Sequence, residues 1–197
     1  MVALPKVAPS RMTVAEFIDW PGDDTGVRHE LIDGEIRAMA PASITHGIIQ
    51  ATIGALLRNH LTGTRCKVVV APGVIPRVRS EANMRVPDLA VNCTADEAGQ
   101  RALPDPILLI EILSPSNEAE TRENVWAYAT IPSVREILLV RSTEVAAELL
   151  RRQADGNWPA KPQMIASADG LALESIDFRV ALAAFYEDTH LANPAVG

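Results

Sequence analysis

The stretch "ILLIEIL" at residues 107–113 carries one carboxylate, Glu111, in an otherwise apolar run. Both faces of its pleat are apolar, which predicts a central β-strand covered on both sides. Core strands rarely carry charge, because burying an unpaired carboxylate is costly. We therefore expect Glu111 to have a bonding partner or an ion beside it.

A second carboxylate, Asp88, lies in the strand-like run "VPDLAV" at residues 86–91. Pro87 lacks an N–H and marks a strand start or an edge, so Asp88 could simply face solvent or cap a turn. Alternatively, two carboxylates that converge from neighbouring strands repel each other unless a cation lies between them. Mg²⁺ prefers oxygen ligands and suits such a pair. Spacing alone leaves both interpretations open.

Downstream of these runs the chain alternates between helical and β-type patterns. A helix opened by Ser116 or Asn117 leads to a buried strand, "REILLV" at residues 135–140. The following run, "VAAELLRRQ" at residues 145–153, predicts an edge strand. Asp177 is the predicted cap of a last helix.

Upstream, Thr13 and Glu16 form the capping-box pattern of a short helix. Asp33-Gly34 predicts a tight hairpin, and residues 46–61 have apolar side chains at helical spacing. Together these elements predict an α/β fold, in the α+β sense of a mixed sheet flanked by helices. We expect residues 1–197 to form one domain, with a core of about residues 13–187 between short flexible ends.

Composition and charge exclude several classes of protein. Since no apolar run approaches the ~20 residues of a membrane helix, and the N-terminus is too short and proline-broken for a signal peptide, we expect a cytoplasmic protein without membrane contact. A net charge of -7 speaks against a general nucleic-acid coat. Cys66 and Cys93 lack metal-site spacing and are predicted to be reduced thiols.

Basic residues are nevertheless concentrated between positions 58 and 85, where Glu81 is the single acidic residue. Such a cluster fits a solvated sheet rim as well as a phosphate-binding surface. The basic residues are Arg58, Arg65, Lys67, Arg77, Arg79 and Arg85.

The order of these motifs resembles the Uma-type restriction endonuclease family of the PD-(D/E)xK nuclease superfamily. The resemblance rests on five features in order, from about Thr13 to Val140: "HELIDGEI", a proline followed by a helix that opens near a histidine, "VPDLAV", "IEILSPS", and a helix ending in tyrosine before "VREILLV". Each motif alone is weak, whereas their order is fairly specific.

The resemblance implies a restriction-endonuclease-like fold and Mg²⁺-dependent hydrolysis of DNA, with Mn²⁺ as a substitute ion. It assigns Asp88 and Glu111 as metal carboxylates, the backbone carbonyl of Ile112 as a further ligand, and Glu30 as an acidic residue near the metal. His46 matches a recurrent histidine without an assigned role, and for it we favour a helix-cap or core position.

The chain departs from the family pattern at Asn124, where the family has a lysine. Glu120, Asn124 and Tyr128 are spaced to share one helical face, whereas Arg122 points away from it. Asparagine can hydrogen-bond a water or a phosphate oxygen, but it carries no charge and cannot act as a base. We therefore expect weakened or lost nuclease activity, which Asn124→Lys should raise.

The leading functional hypothesis is a Mg²⁺-dependent DNA endonuclease with Glu30, Asp88, Glu111 and Asn124 as its catalytic residues. A homodimer is expected by analogy with the superfamily. Two other hypotheses remain: a non-catalytic module that keeps the fold and binds metal or DNA, and a structural protein whose carboxylates are internal hydrogen-bond partners.

Overall fold

The computed structural model describes residues 11–115 and 117–192. Three expectations fall outside these residues: the absence of a signal peptide at the N-terminus, the flexible ends, and Ser116 as a helix cap.

A six-stranded mixed sheet forms the centre of the fold, and its strand order is β3-β4-β5-β6-β7-β8. β5 and β6 are parallel, and the other neighbouring pairs are antiparallel. The strands are β3 (Lys67–Val70), β4 (Leu89–Asn92), β5 (Pro106–Leu113), β6 (Glu136–Arg141), β7 (Ala146–Arg151) and β8 (Gln163–Ala166). The run that contains Glu111 is thus an inner strand, as its apolar pattern predicts.

Two helices cover opposite faces of β5. Residues Leu108, Ile110 and Ile112 belong to one core cluster with apolar side chains of α2 (Ile44–His60). The alternate residues, Leu109 and Leu113, belong to a second cluster with Val125 and Tyr128 of α3 (Glu118–Ala129). Because successive side chains of a strand point to opposite faces, this division confirms a mixed sheet flanked by helices.

The N-terminal elements form as their local signals predict. Thr13 caps α1 (Val14–Asp19) through a complete capping box with Glu16. The hairpin of β1 (His29–Ile32) and β2 (Glu35–Ala38) turns at Asp33 and Gly34, whose φ values of 52° and 84° lie in the left-handed region. Backbone hydrogen bonds between Leu31 and Met84 join this hairpin to the segment that precedes β4.

The prediction of an edge strand at residues 145–153 is wrong. β7 is hydrogen-bonded to β6 on one side and to β8 on the other. β8 is mostly exposed, and only Ile165 among its four residues is buried. The sequence therefore offers little hydrophobic signal for this added strand.

The predicted C-terminal helix at Asp177 is also wrong. Asp177 has a left-handed φ of 50°, whereas an N-cap needs an extended backbone. The chain instead forms a hairpin of β9 (Gly170–Leu173) and β10 (Phe178–Ala181), and then a short 3-10 helix at Leu182–Tyr186. Phe178 and apolar side chains of β9 enter the core shared with α2, which favours strand over helix.

Cys66 and Cys93 form a disulfide, so the prediction of reduced thiols is wrong. The antiparallel register of β3 and β4 pairs Lys67 with Asn92. The next residues outward, the two cysteines, consequently lie opposite each other. Strand register, which the cysteine spacing does not reveal, brings the two sulfur atoms together.

Candidate active site

A cavity of about 410 Å³ opens where the β1–β2 hairpin, the start of α2, the start of β4, the middle of β5 and one face of α3 meet. The residues singled out by sequence that line it are Glu30, His46, Asp88, Glu111, Glu120 and Asn124. Arg28 and Gln50 also line this cavity, and sequence reasoning had missed both. Segments that are far apart in the chain therefore place carboxylates around one space.

Asp88 is held by donors from three directions. His46 Nε2 lies 3.0 Å from Asp88 Oδ1, and the backbone N–H of Ile112 donates to Asp88 Oδ2 at 2.7 Å. Gln50 Nε2 donates to the backbone carbonyl of Asp88 at 2.8 Å. The first two bonds fix the carboxylate and the third fixes the backbone just before β4, in a turn position that the proline before it favours.

Of the two positions expected for His46, helix cap or core, the structure shows the core position. Ser43, not His46, caps α2, because its Oγ accepts the backbone N–H of His46 at 3.1 Å. The imidazole is buried, as expected of a core residue, with 6% of the residue exposed. Its partner is nevertheless Asp88, so His46 belongs to the wall of the cavity.

Glu111 is buried on the α3 side of β5, where Tyr128 Oη donates to its Oε1 at 2.6 Å. Burial raises the pKa of the Glu111 carboxyl well above its usual range, and the neighbouring charge of Asp88 raises it further. Burial beside Glu111 likewise raises the pKa of Tyr128. The two carboxylates thus form an acidic pair without a compensating ion pair to Glu111 among the described residues.

Glu30 reaches the cavity from the hairpin. Its Oε1 accepts the backbone N–H of Val86 at 2.7 Å, and its Oε2 lies 3.5 Å from Asn124 Nδ2. Burial raises the pKa of the Glu30 carboxyl, while the Val86 N–H opposes that rise. A third carboxyl group is therefore held next to the segment that carries Asp88.

Asn124 accepts a hydrogen bond from Arg85, a member of the basic cluster between positions 58 and 85. Arg85 Nη1 donates to Asn124 Oδ1 at 2.8 Å, and Nη2 donates to Asn83 Oδ1 at 3.2 Å. Only 7% of Arg85 is exposed. Arg85 stands three residues before Asp88 in the sequence, and this proximity is the one sequence signal that indicates a role near the site.

The remaining members of the basic cluster lie in several different environments. Lys67 pairs with Asp96 at 2.8 Å, and Arg79 pairs with Asp33 at 2.7 Å. The side chains of Arg58, Arg65 and Arg77 are exposed. With Arg85 buried, the six residues do not act together as one exposed rim.

Helix α3 presents different residues on its two sides, as the spacing predicts. Glu120, Asn124 and Tyr128 face the cavity or its carboxylates. Arg122 lies on another side, where it bonds Glu118 and Glu148.

The donor groups suit a hard cation better than a soft metal. No group of three or more His, Cys, Asp and Glu side chains among the described residues forms a metal-binding cluster. The donors that line the cavity are carboxylates. Ile112, the third expected ligand, is not among the lining residues, but its N–H donates to Asp88. Because the N–H and C=O of a strand residue point to the same side, we expect its carbonyl on the side of Asp88. Two carboxylates, one carbonyl and retained waters match the coordination that Mg²⁺ accepts.

Comparison with known proteins identifies the family. A family model described as Uma2, "Putative restriction endonuclease", matches residues 14–181, and the chain belongs to this family. The chain is 32% identical over 184 residues to the uncharacterized protein slr1290 of Synechocystis sp., with 92% of each chain covered. The resemblance inferred from motif order is thereby confirmed.

The fold has a counterpart among solved structures. A crystal structure described as a putative nuclease of DUF820 from Anabaena variabilis matches with a TM-score of 0.72 at 17% identity, covering 89% of this chain and 97% of that chain. At this identity the match shows a shared fold. Separately, none of the helices in the described parts of the chain is long and apolar enough to cross a membrane.

Proposed function

We propose that this protein is a metal-dependent DNA endonuclease that hydrolyses phosphodiester bonds with Mg²⁺, for which Mn²⁺ can substitute. The proposal rests on the buried Glu111 and the partly buried Asp88, which line the same cavity. Burial raises the pKa of the Glu111 carboxyl, and the neighbouring charge of Asp88 raises it further. Such a pair at a cavity is favourable only when a cation or protons balance its charge. Membership of a restriction endonuclease family supports DNA as the substrate.

In this proposal Asp88, Glu111 and the carbonyl of Ile112 hold the ion. A bound Mg²⁺ would supply activation of water and neutralisation of charge on the phosphate. His46 and the Ile112 N–H orient the Asp88 carboxylate, so that its oxygen atoms cannot turn away from the cavity. Tyr128 performs the same task for Glu111 through its hydroxyl donor.

Glu30 positions the attacking water. Its backbone partner at Val86 fixes Oε1, and Oε2 is directed toward Asn124. The raised pKa of this carboxyl suits a group that accepts a proton from water during attack. Asn124 completes this wall as a neutral hydrogen-bonding group.

A second candidate function follows from the neutral residue at position 124. Without a cationic side chain there, the transition state loses a charge that commonly contributes about 10²- to 10³-fold in rate. The alternative is therefore a nuclease-fold module that binds metal or DNA with little turnover. Homodimer formation in the cytoplasm remains part of the proposal by analogy with the superfamily.

The deciding experiment measures nicking of supercoiled plasmid DNA and the melting temperature across millimolar Mg²⁺ and Mn²⁺. We expect metal to raise the melting temperature by linkage and to support slow nicking. Asp88→Ala should abolish both effects. The matched control is Asp96→Ala, which removes an exposed carboxylate outside the cavity and should preserve both effects.

Metal binding without detectable nicking would select the binding module. No thermal response and no nicking by the unmodified protein, at any metal concentration, would contradict the nuclease and the metal-binding module, and would favour a structural role for the carboxylates.

A further inference from the structure

Arg85 is a buried cation without an ion-pair partner. Its backbone is fixed by two hydrogen bonds to Val74, and 7% of the residue is exposed. No carboxylate of the described residues lies within ion-pair distance of its guanidinium, and its Nε has no hydrogen-bond partner among them. Burying a charge in this way is costly, which calls for a role other than stabilising the fold.

The bond between Arg85 and Asn124 determines which way the Asn124 amide faces. A guanidinium has only donors, so it requires the oxygen of the amide. The NH₂ group must then face the other way, where Oε2 of Glu30 lies 3.5 Å from Asn124 Nδ2. If the amide were reversed, its NH₂ group would face the donors of Arg85 and its oxygen would face the carboxylate oxygen of Glu30, and neither contact could form a hydrogen bond.

An amide nitrogen carries two N–H groups, of which Glu30 can occupy one. Asn124 lines the cavity, so the second N–H is available to a group that enters it. The positive charge of Arg85 polarises the amide and strengthens its N–H groups as donors. At Asn124 the cavity wall thereby offers a donor to an acceptor such as a phosphate oxygen.

We propose that Arg85 is the positioning residue of this site, and that it holds Asn124 so that the amide NH₂ donates to a non-bridging oxygen of the DNA phosphate. This inference rests on the proposed function and deepens it. Arg85 acts through the amide, which places a donor in the position where the family has a cationic side chain. Asn124 is thus the contact to substrate, and Arg85 supplies its orientation and polarity.

The test follows the side-chain ¹⁵N–¹H resonances of Asn124, assigned by their loss in the isosteric Asn124→Asp variant. The protein is titrated with a short DNA duplex in the presence of Ca²⁺, which takes oxygen ligands. We expect the Asn124 NH₂ resonances to shift on DNA binding in the unmodified protein. In Arg85→Met, which has similar volume but no charge, this shift should be lost.

Nicking assays supply the second measurement. Arg85→Met and Asn124→Asp should each lower the metal-dependent nicking rate by about 10²-fold, in line with removal of one transition-state donor. The control is Arg179→Met, which removes an exposed arginine on β10 and should leave the rate within about 2-fold. If Arg85→Met does not fold, the same titration of Arg85→Gln, which keeps an amide donor but no charge, tests the positioning role, and the Asn124 NH₂ shift should again be reduced.

Two results would overturn the inference in distinguishable ways. If DNA shifts the resonances of Gln50 and the backbone of Glu120 but not the Asn124 NH₂ group, the positioning role is wrong while the proposed function stands. If DNA shifts no resonance of the cavity and the unmodified protein does not nick, the positioning role and the proposed function both fail.

Discussion

The buried carboxylates on the two sides of helix α3 differ in their bonding partners and in the direction of their pKa shifts. On the cavity side, Glu111 receives one hydroxyl donor from Tyr128, and burial raises its pKa well above the usual range. On the other side, Glu148 is equally buried but is bonded by Arg122 at 2.9 Å and by Arg141 at 2.8 Å. The hydrogen bonds from Arg122 lower the pKa of Glu148, and those from Arg141 add to the effect.

The difference implies that Glu148 stabilises the fold, whereas the burial of Glu111 costs free energy of folding. The charge of Glu148 is matched by two guanidinium groups, so its burial costs little. The charges of Glu111 and Asp88 are not matched by any ion pair to a guanidinium or ammonium group among the described residues. An uncompensated carboxylate with a shifted pKa at a cavity, such as Glu111, is typical of a functional site.

The largest expected effect is on nicking activity, which should depend on Glu111 and not on Glu148. Glu111→Gln should lower metal-dependent nicking by about 10³-fold, because it removes a proposed metal ligand. It should fold at least as stably, since the amide oxygen still accepts from Tyr128 and an uncompensated charge is removed. Glu148→Gln should show the reverse. Its stability should be lower, but its nicking activity should be retained when it is assayed at temperatures well below its melting temperature. Equal loss of activity in both variants would abolish the distinction.

The next effect is that of placing a positive charge at position 124, on the cavity side of α3. From sequence alone, Asn124→Lys is predicted to raise nicking, but the structure places Arg85 Nη1 at 2.8 Å from Asn124 Oδ1. A lysine there would bring a second positive charge next to the guanidinium, so the single variant should lose about 1–3 kcal/mol of unfolding free energy and gain no activity.

The double variant Arg85→Met with Asn124→Lys should recover stability and nick faster than Asn124→Lys alone. Urea unfolding and plasmid nicking measure the two quantities. If the Asn124→Lys single variant were as stable as the unmodified protein and nicked DNA faster, the introduced lysine would not lie against the Arg85 guanidinium.

A smaller effect is the pH dependence of the other side of α3. The folded-state pKa of Glu148 is lowered from its ordinary value of 4.5, so its stabilisation is complete above that value and is lost as pH falls through the folded-state pKa. Glu148→Gln should therefore reduce the free energy of unfolding by about 1–3 kcal/mol at pH 7, and the difference from the unmodified protein should disappear in acid. A difference independent of pH would mean that packing, not charge, is lost.

The smallest effect compares two arginines. Arg28 is exposed at the cavity and should contact DNA phosphate, so Arg28→Ala should reduce the salt dependence of DNA binding by about one log unit per log unit of salt. Arg122 already bonds Glu118 and Glu148, so Arg122→Ala should leave that slope unchanged. Fluorescence anisotropy with labelled duplex measures both. Equal slopes in the two variants would remove Arg28 from the DNA interface.

Several features of this protein were determined by the sequence itself. The capping box at Thr13, the hairpin turn at Asp33-Gly34 and the inner strand around Glu111 all formed as predicted. The order of motifs also sufficed to indicate the family. These signals are local, because they depend on capping, on left-handed turn residues and on the periodicity of apolar side chains within one element.

The tertiary structure alone decided which distant groups meet. The register of β3 and β4 joins Cys66 to Cys93, and the fold brings Arg85 to Asn124 across a sequence separation of 39 residues. Neither contact leaves a periodic signal, because each depends on how two elements lie against each other rather than on the preference of either. For the same reason the sequence indicated that Glu111 needs a partner, whereas the packing of α3 on β5 determined that this partner is Tyr128.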